Sequence, residues 1–302
     1  MKKHLFLLVL FVINSVSVNC QDTSANHKPY AIPASVTEKV EPPPLEDNKS
    51  ESPAVKIADK KTVSISNISN KKWLFLGDSI TAKKTSSGWV AKFKELVSAN
   101  ESSYIQAVGG AKWCDDEVGI TYEGRPSRSQ NYVGNQVAWC KRIGFASDAF
   151  DCIIIFAGTN DTNSDYPTDD SIELQFYKGD TLKPLSEVDR TTWAGAIRWT
   201  VQSLRAMYPS AVIFLVTPLQ RKTAEDGVTT KDMYPTIMKK RETIIKMAHR
   251  MGCYCIDMSE INITDMGRDY ADGLHPNDAS TTKIADYIFR KILPIMCDYN
   301  LE

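Results

Sequence analysis

The sequence predicts an α/β fold: a parallel sheet with helices on both of its faces. Three observations predict it. Five short apolar runs recur along the chain. Longer segments with apolar residues at helical spacing lie between them. The runs are apolar at nearly every position, which marks strands covered on both faces rather than strands with one face in water. Alternation of such strands with helices brings successive strands parallel, because each helix carries the chain back across the sheet.

The elements follow in order. Lys2 and Lys3 precede an apolar run, Leu5 to Ile13, and small or polar residues continue to Cys20. Residues 1–20 therefore read as a secretory signal peptide, too short in its apolar part to span a bilayer. Cys20 stands where a lipoprotein signal places its lipidated cysteine, although Ser17-Val18-Asn19 is a loose version of that pattern. Two outcomes stay open: a lipid anchor on Cys20, or ordinary cleavage nearby. Either implies export, to a periplasm or a cell surface. Residues 21–68 are polar and rich in Pro, Ser, Lys and Glu, including Pro42-Pro43-Pro44. They bury too little apolar area to offset their ordering entropy and read as a disordered linker. The folded domain is expected over 69–302.

Strands are predicted over Trp73–Leu76, Tyr104–Val108, Cys152–Phe156, Val212–Val216 and Cys253–Ile256. Helices are predicted over Gly88–Ala99, Val133–Ile143, Trp193–Met207, Tyr234–Met251 and Ala279–Cys297. Three connections exceed the usual few residues: Cys114–Ser129, Thr162–Arg190 and Pro218–Tyr234. All leave the carboxyl edge of the sheet, where open parallel sheets bind ligands.

The net charge of −1 and scattered basic residues exclude an electrostatic footprint for nucleic acid. Besides Cys20 there are six cysteines: 114, 140, 152, 253, 255 and 297. Cys152, Cys253 and Cys255 fall in apolar strands and are expected to be buried small hydrophobes. Cys114 and Cys140 are the expected disulfide pair if one forms. None has metal-ligand spacing, and no metal site is expected.

There are four histidines. His4 lies in the export signal and His27 in the linker. His249, beside Arg250 near a predicted helix end, reads as a cation facing the helix dipole. His275 lies in Asp272-Gly273-Leu274-His275-Pro276, just before the last helix. A carboxylate three residues before a histidine, across a glycine turn, can fix the ring tautomer and leave the other nitrogen as a base. A solvated helix-entry loop accounts for the same residues equally well.

Ser79 follows the first strand in Gly77-Asp78-Ser79-Ile80-Thr81. A serine there stands at the open sheet edge, beside the unpaired N–H groups of a helical first turn. Taken alone it reads as a helix N-cap. Val108-Gly109-Gly110-Ala111 ends the second strand, and Ala157-Gly158-Thr159-Asn160-Asp161 ends the third. The glycines allow close approach of a backbone N–H, and Asn160 can offer a side-chain amide. Each is also routine turn chemistry. Together they supply a nucleophile, a base, an orienting carboxylate and three donors for an oxyanion, which is what acyl transfer requires.

Gly77-Asp78-Ser79-Ile80, Gly110, Gly158-Thr159-Asn160-Asp161 and Asp272-Gly273-Leu274-His275-Pro276 resemble, in order and spacing, the four blocks of the SGNH, or GDSL-type, hydrolase superfamily. The resemblance covers about residues 70 to 297. It implies a flavodoxin-like three-layer sandwich with a five-stranded parallel sheet of order 2-1-3-4-5. It implies Ser79 as nucleophile, His275 as base and Asp272 as its orienter. The oxyanion hole it implies is the Ser79 N–H, the Gly110 N–H and the Asn160 side chain, with Gly109 replacing Gly110 if the alignment shifts by one. Ile80 stands where the family name has Leu. Ser79 is not in a GxSxG elbow, which disfavours the α/β-hydrolase fold.

The reading expects a serine ester hydrolase without metal or organic cofactor. An exported enzyme resembling this family suggests removal of acetyl or other short acyl groups from carbohydrate. Trp113, Tyr166 and Arg221 are the substrate-contact candidates, with Tyr122, Arg125, Tyr132 and Tyr177 on the same loops or their flanks. The alternatives are a lipase or lysophospholipase, for which the loops are rather polar, and a carbohydrate-binding module with a dead site.

Overall fold

The structure, a computed structural model, describes residues 68–83, 85–115, 132–161, 172–219, 222–224, 230–232, 234–263 and 265–299. Every described residue belongs to one compact unit. Cys20, the export signal and residues 21–67 of the linker lie outside the described residues.

Five parallel strands form the sheet: β1 (Trp73–Gly77), β2 (Tyr104–Ile105), β3 (Cys152–Phe156), β4 (Val212–Val216) and β5 (Tyr254–Ile256). Their order is β2-β1-β3-β4-β5, the order expected. The three central strands are buried at every position, as their unbroken apolar runs require. The alternation of side chains then divides the core in two. Trp73 and Phe75 face one cluster with Trp89, Phe93 and Ile288, while Leu74 and Leu76 face the other with Val137, Ile197 and Ile244.

Helices cover both faces. On one, α2 (Trp89–Leu96) packs against α7 (Asp278–Tyr299); on the other lie α3 (Val133–Ile143), α5 (Trp193–Met207) and α6 (Tyr234–Met251). Aromatic edges lock the first face: the Trp73 and Phe93 rings meet edge-on at 5.0 Å, and Phe75 and Trp89 at 5.8 Å.

The structure departs from the sequence reading in four places. The second strand is two residues long rather than running to Val108. Beyond it the chain still tracks β1, with Gln106 N–H donating to Phe75 O at 2.9 Å and Val108 N–H to Gly77 O at 3.0 Å. The second and third long connections contain structure of their own. A short helix, α4 (Ile172–Phe176), leads into a hairpin of Tyr177–Lys178 and Thr181–Leu182; another hairpin joins Lys222–Ala224 to Thr230–Asp232. Cys114 and Cys140 form no disulfide: both are free thiols buried in the same apolar cluster, so they act as packing groups. Cys152 is buried as expected, but Cys253 and Cys255 are only partly so, because β5 is an edge strand.

At the carboxyl edge β1 and β3 stay paired to the last residue, Gly77 opposite Phe156. Gly77 has φ of +149°, and a Cβ there would lie 2.0 Å from the Phe156 carbonyl oxygen. Only glycine permits that approach. Gly77→Ala is therefore predicted to cost about 3 kcal/mol or more through the clash and the strained φ. Urea unfolding checks this, and an unchanged midpoint would refute it.

Candidate active site

Ser79 opens α1 (Ser79–Ala82), immediately after β1. The cap of that helix is Asp78: its Oδ1 accepts the Ile80 N–H at 3.0 Å. The N-cap role that the sequence allowed for Ser79 therefore belongs to Asp78. With Asp78 capping, the Ser79 hydroxyl is released from the helix end, and its Oγ lies 2.9 Å from His275 Nε2.

His275 is 196 residues further along the chain, in a loop that holds its own shape. Tyr270 and Pro276 form an antiparallel bridge across it. Ala271 N–H donates to His275 O at 2.8 Å, and Asn277 N–H to Asp269 O at 3.0 Å. Asp272 sits inside this frame. Its Oδ1 accepts the N–H groups of Leu274 at 3.0 Å and His275 at 2.7 Å. Its Oδ2 lies 2.7 Å from His275 Nδ1. The backbone N–H of His275, then its ring, pull the Asp272 carboxyl down to about 2. An ionised carboxylate only accepts, so Nδ1 carries the hydrogen and Nε2 is left to accept the Ser79 O–H.

The second strand contributes a tight turn. Ala111 N–H donates to Val108 O at 3.2 Å, closing Val108–Ala111 around the two glycines. Gly110 has φ of +74°, the left-handed value a type II turn needs at its third residue. The turn passes beside Ser79: a Cβ on Gly109 would lie 3.9 Å from Ser79 Cβ. Among the described residues neither glycine N–H has a protein acceptor, so both glycines stay available as donors. From the third strand, Asn160 Nδ2 donates to Ala111 O at 3.0 Å. That bond fixes the amide against the glycine turn and leaves its second hydrogen unspent.

Beneath these groups lies a buried polar layer. Asp161, fully buried, accepts the N–H groups of Trp113 and Cys114, each at 3.1 Å, and so ties the second loop to the third. Burial pushes its carboxyl up to about 6, against the pull of those N–H groups and of Lys240. Lys240, on α6, is itself buried and donates to the carbonyl oxygens of Asp161 and Gly158. Burial likewise raises Asp78 to about 6, opposed by hydrogen bonds from Ile80 and Thr159. Gln136, on α3, pairs with Gly77 as a strand would: Oε1 accepts its N–H at 2.9 Å and Nε2 donates to its carbonyl at 2.7 Å. Thr81 Oγ1 donates to Phe156 O at 3.1 Å.

The structure thus brings Ser79, His275, Asp272, Gly110 and Asn160 to one edge. It does not bring Trp113 there as a substrate contact. Trp113 is 1% exposed, its ring centroid 6.4 Å from that of Trp193 within the core. An indole of that size is more stable packed than facing the crevice. Tyr177 sits on the hairpin after α4, under Arg250 in the last turn of α6, toward the opposite edge. Tyr132 precedes α3. Tyr122, Arg125, Tyr166 and Arg221 lie outside the described residues. His249 is exposed in the last turn of α6, away from the Ser79–His275 contact.

Asp161, Lys240 and Gln136 were not singled out from sequence. A signal existed for two of them. Lys240 occupies the stripe of Ile244, Met247, Ala248 and Met251 on α6, and Gln136 adjoins Val133, Val137 and Cys140 on α3; all are buried. A polar residue in an apolar stripe marks a satisfied buried group.

The profile of the GDSL-like Lipase/Acylhydrolase family matches residues 75–281, more than half of the chain, and the chain belongs to that family. It is a carboxylic ester hydrolase of the GDSL type. No curated protein matches it. Three solved structures are similar to it. A protein from Lactobacillus plantarum is 18% identical at a TM-score of 0.53, over 76% of this chain and 98% of that one. A carbohydrate acetylesterase from Sinorhizobium meliloti is 15% identical at 0.46, over 74% and 100%. A lipase/acylhydrolase from Enterococcus faecalis is 15% identical at 0.46, over 74% and 96%.

The two raised carboxyls make a prediction. A group whose folded pKa lies above its unfolded value stabilises the fold most at low pH and loses that contribution as pH rises through the folded value. For Asp78 and Asp161 the loss falls between about pH 4 and pH 7. The melting temperature should therefore fall over that range, and the slope should flatten in Asp78→Asn whatever that variant's absolute stability. Calorimetry checks the slopes; parallel curves would contradict the assignment.

Proposed function

We propose that this chain is an exported ester hydrolase that removes acetyl or other short acyl groups from carbohydrate, through an acyl-enzyme on Ser79. One observation carries the chemistry: the unbroken chain of hydrogen bonds Asp272–His275–Ser79, at 2.7 and 2.9 Å.

The steps follow from those contacts. Ser79 Oγ attacks the ester carbonyl carbon while its proton passes to His275 Nε2. The carbonyl π electrons move to oxygen, and the resulting oxyanion is met by the Ser79 N–H, the Gly110 N–H and the second amide hydrogen of Asn160. One such donor is worth about 3 kcal/mol, a hundredfold or more in rate. His275 returns the proton to the departing alkoxide as the carbon–oxygen bond breaks. Water then adds to the acyl-enzyme, giving its proton to Nε2, and collapse releases the acid and restores the serine hydroxyl. Asp272 remains ionised throughout and holds the imidazolium.

A short acyl group is supported by where exposed apolar side chains lie. Among the described residues the large exposed ones are Leu96, Ile143, Leu174, Tyr177, Leu182 and Tyr254. Leu96 and Ile143 end helices that return to the amino edge of the sheet, and Tyr254 begins a strand there. Leu174, Tyr177 and Leu182 belong to the α4 hairpin held by Arg250. None offers a groove for a long chain beside Ser79. Export, and a membrane tether through Cys20, rest on the amino-terminal sequence, and the carbohydrate alcohol on the export signal together with the family.

Two experiments test this. Purified protein should hydrolyse p-nitrophenyl acetate, with Ser79→Ala and His275→Ala losing at least a thousandfold in kcat/KM. Asp272→Ala should lose less, since Asp272 orients rather than transfers. Wild-type activity in Ser79→Ala would refute the nucleophile. Rates should fall from acetyl to longer acyl esters, and acetate should be released from acetylated glycans. Rates rising with chain length would favour the lipase reading, and absence of both hydrolysis and fluorophosphonate labelling in folded protein would favour a binding module.

A further inference from the structure

We propose that Lys240 is a positioning residue of the oxyanion hole, acting through Asn160. The proposal rests on the reading of Asn160 as an oxyanion donor.

Lys240 is 2% exposed, at the end of the second turn of a helix otherwise packed by its apolar stripe. Burying an ammonium is costly unless it is fully engaged. Here the Nζ group reaches the ends of one short turn: it donates to the carbonyl oxygens of Asp161 and, at 3.5 Å, of Gly158. Asn160 lies between those two residues. Nζ also stands 5.8 Å from the Trp193 ring centroid, where the ring face attracts a cation. The same charge lies near the Asp161 carboxylate, whose oxygens hold the Trp113 and Cys114 N–H groups of the neighbouring loop.

These contacts have a directional result. The turn Gly158–Asp161 is clamped from behind at both of its ends, and the Asn160 amide, which the turn carries, is clamped in front by Ala111 O at 3.0 Å. With both clamps in place the Asn160 amide is fixed, and its second hydrogen is the one left for the oxyanion. An oxyanion donor acts through being fixed before charge develops. A buried cation behind the turn supplies that fixity, and its charge has the sign that favours the oxyanion. Lys240 touches neither Ser79, His275 nor the reacting atoms, so its effect belongs on the transition state and not on substrate capture.

A double-mutant cycle on the full chain tests the proposal, with p-nitrophenyl acetate as substrate and kcat counted per mole of protein with native near-ultraviolet circular dichroism. Lys240→Met should lower kcat about ten- to a hundredfold and leave KM within about threefold. Lys240→Gln, which keeps a donor, should recover part of that loss and serves if the methionine variant does not fold. Asn160→Ala should lose a similar factor, and adding Lys240→Met to it should cost less than about threefold more, because the two act as one unit. Unchanged kcat in both Lys240 variants, a change confined to KM, or losses that multiply with Asn160→Ala would overturn the proposal while leaving the oxyanion reading intact. Unchanged kcat in Asn160→Ala would overturn that reading, and the role of Lys240 with it.

Discussion

Parallel strands cannot be joined by tight turns, so each must be followed by a return across a face of the sheet. Everything else in this molecule depends on that constraint. It forces β1, β2 and β3 to end at the same edge, and so delivers Ser79, the Gly109–Gly110 turn and Asn160 to one place although they are far apart in sequence. It also forces both faces of the sheet to be covered. The cover is sorted by alternation within single strands: Trp73 and Phe75 to one helical layer, Leu74 and Leu76 to the other. A slip of one residue in β1 would exchange the two layers and turn Ser79 away from the crevice.

Beneath that edge the molecule places a layer of buried polar groups, where an apolar floor would be easier to stabilise. Asp78, Asp161, Lys240 and Gln136 have all left water, and each is held by backbone groups. Their function is geometric. Three loops from three strands have no ladder to keep them together once the strands end. Gln136 pairs with Gly77, the last residue of β1, Asp161 ties the second loop to the third, and Lys240 closes the third from behind. The raised carboxyls are the thermodynamic trace of this arrangement, since desolvation that is only partly offset leaves a proton easier to hold.

Much of this was legible in the sequence. Unbroken apolar runs identified the central strands to within a residue, because a strand buried on both faces has no polar position to blur its ends. The helices α3, α5 and α6 were equally plain from their spacing. The edge elements were not: β2 shortens to two residues, and the α4 hairpin was invisible, because edges are decided by a few hydrogen bonds that leave little pattern. At the site, Ser79 and His275 are each ambiguous alone, and the sequence picks them out only as members of a set. That Asp78 and not Ser79 takes the helix cap depends on a backbone angle that no pattern encodes. Trp113 was misplaced because an aromatic in a loop near a crevice reads the same whether its ring faces out or in.

The loop that bears Asp272 and His275 is closed on itself by the Tyr270–Pro276 bridge. The Asp272–His275 pairing spans three residues and forms without a distant partner, whereas the contact of His275 with Ser79 closes a loop of 196 residues. The entropy of loop closure grows with loop length. It therefore falls on the Ser79–His275 contact and hardly at all on the pair itself. The two residues meet the sheet edge together, as one local unit.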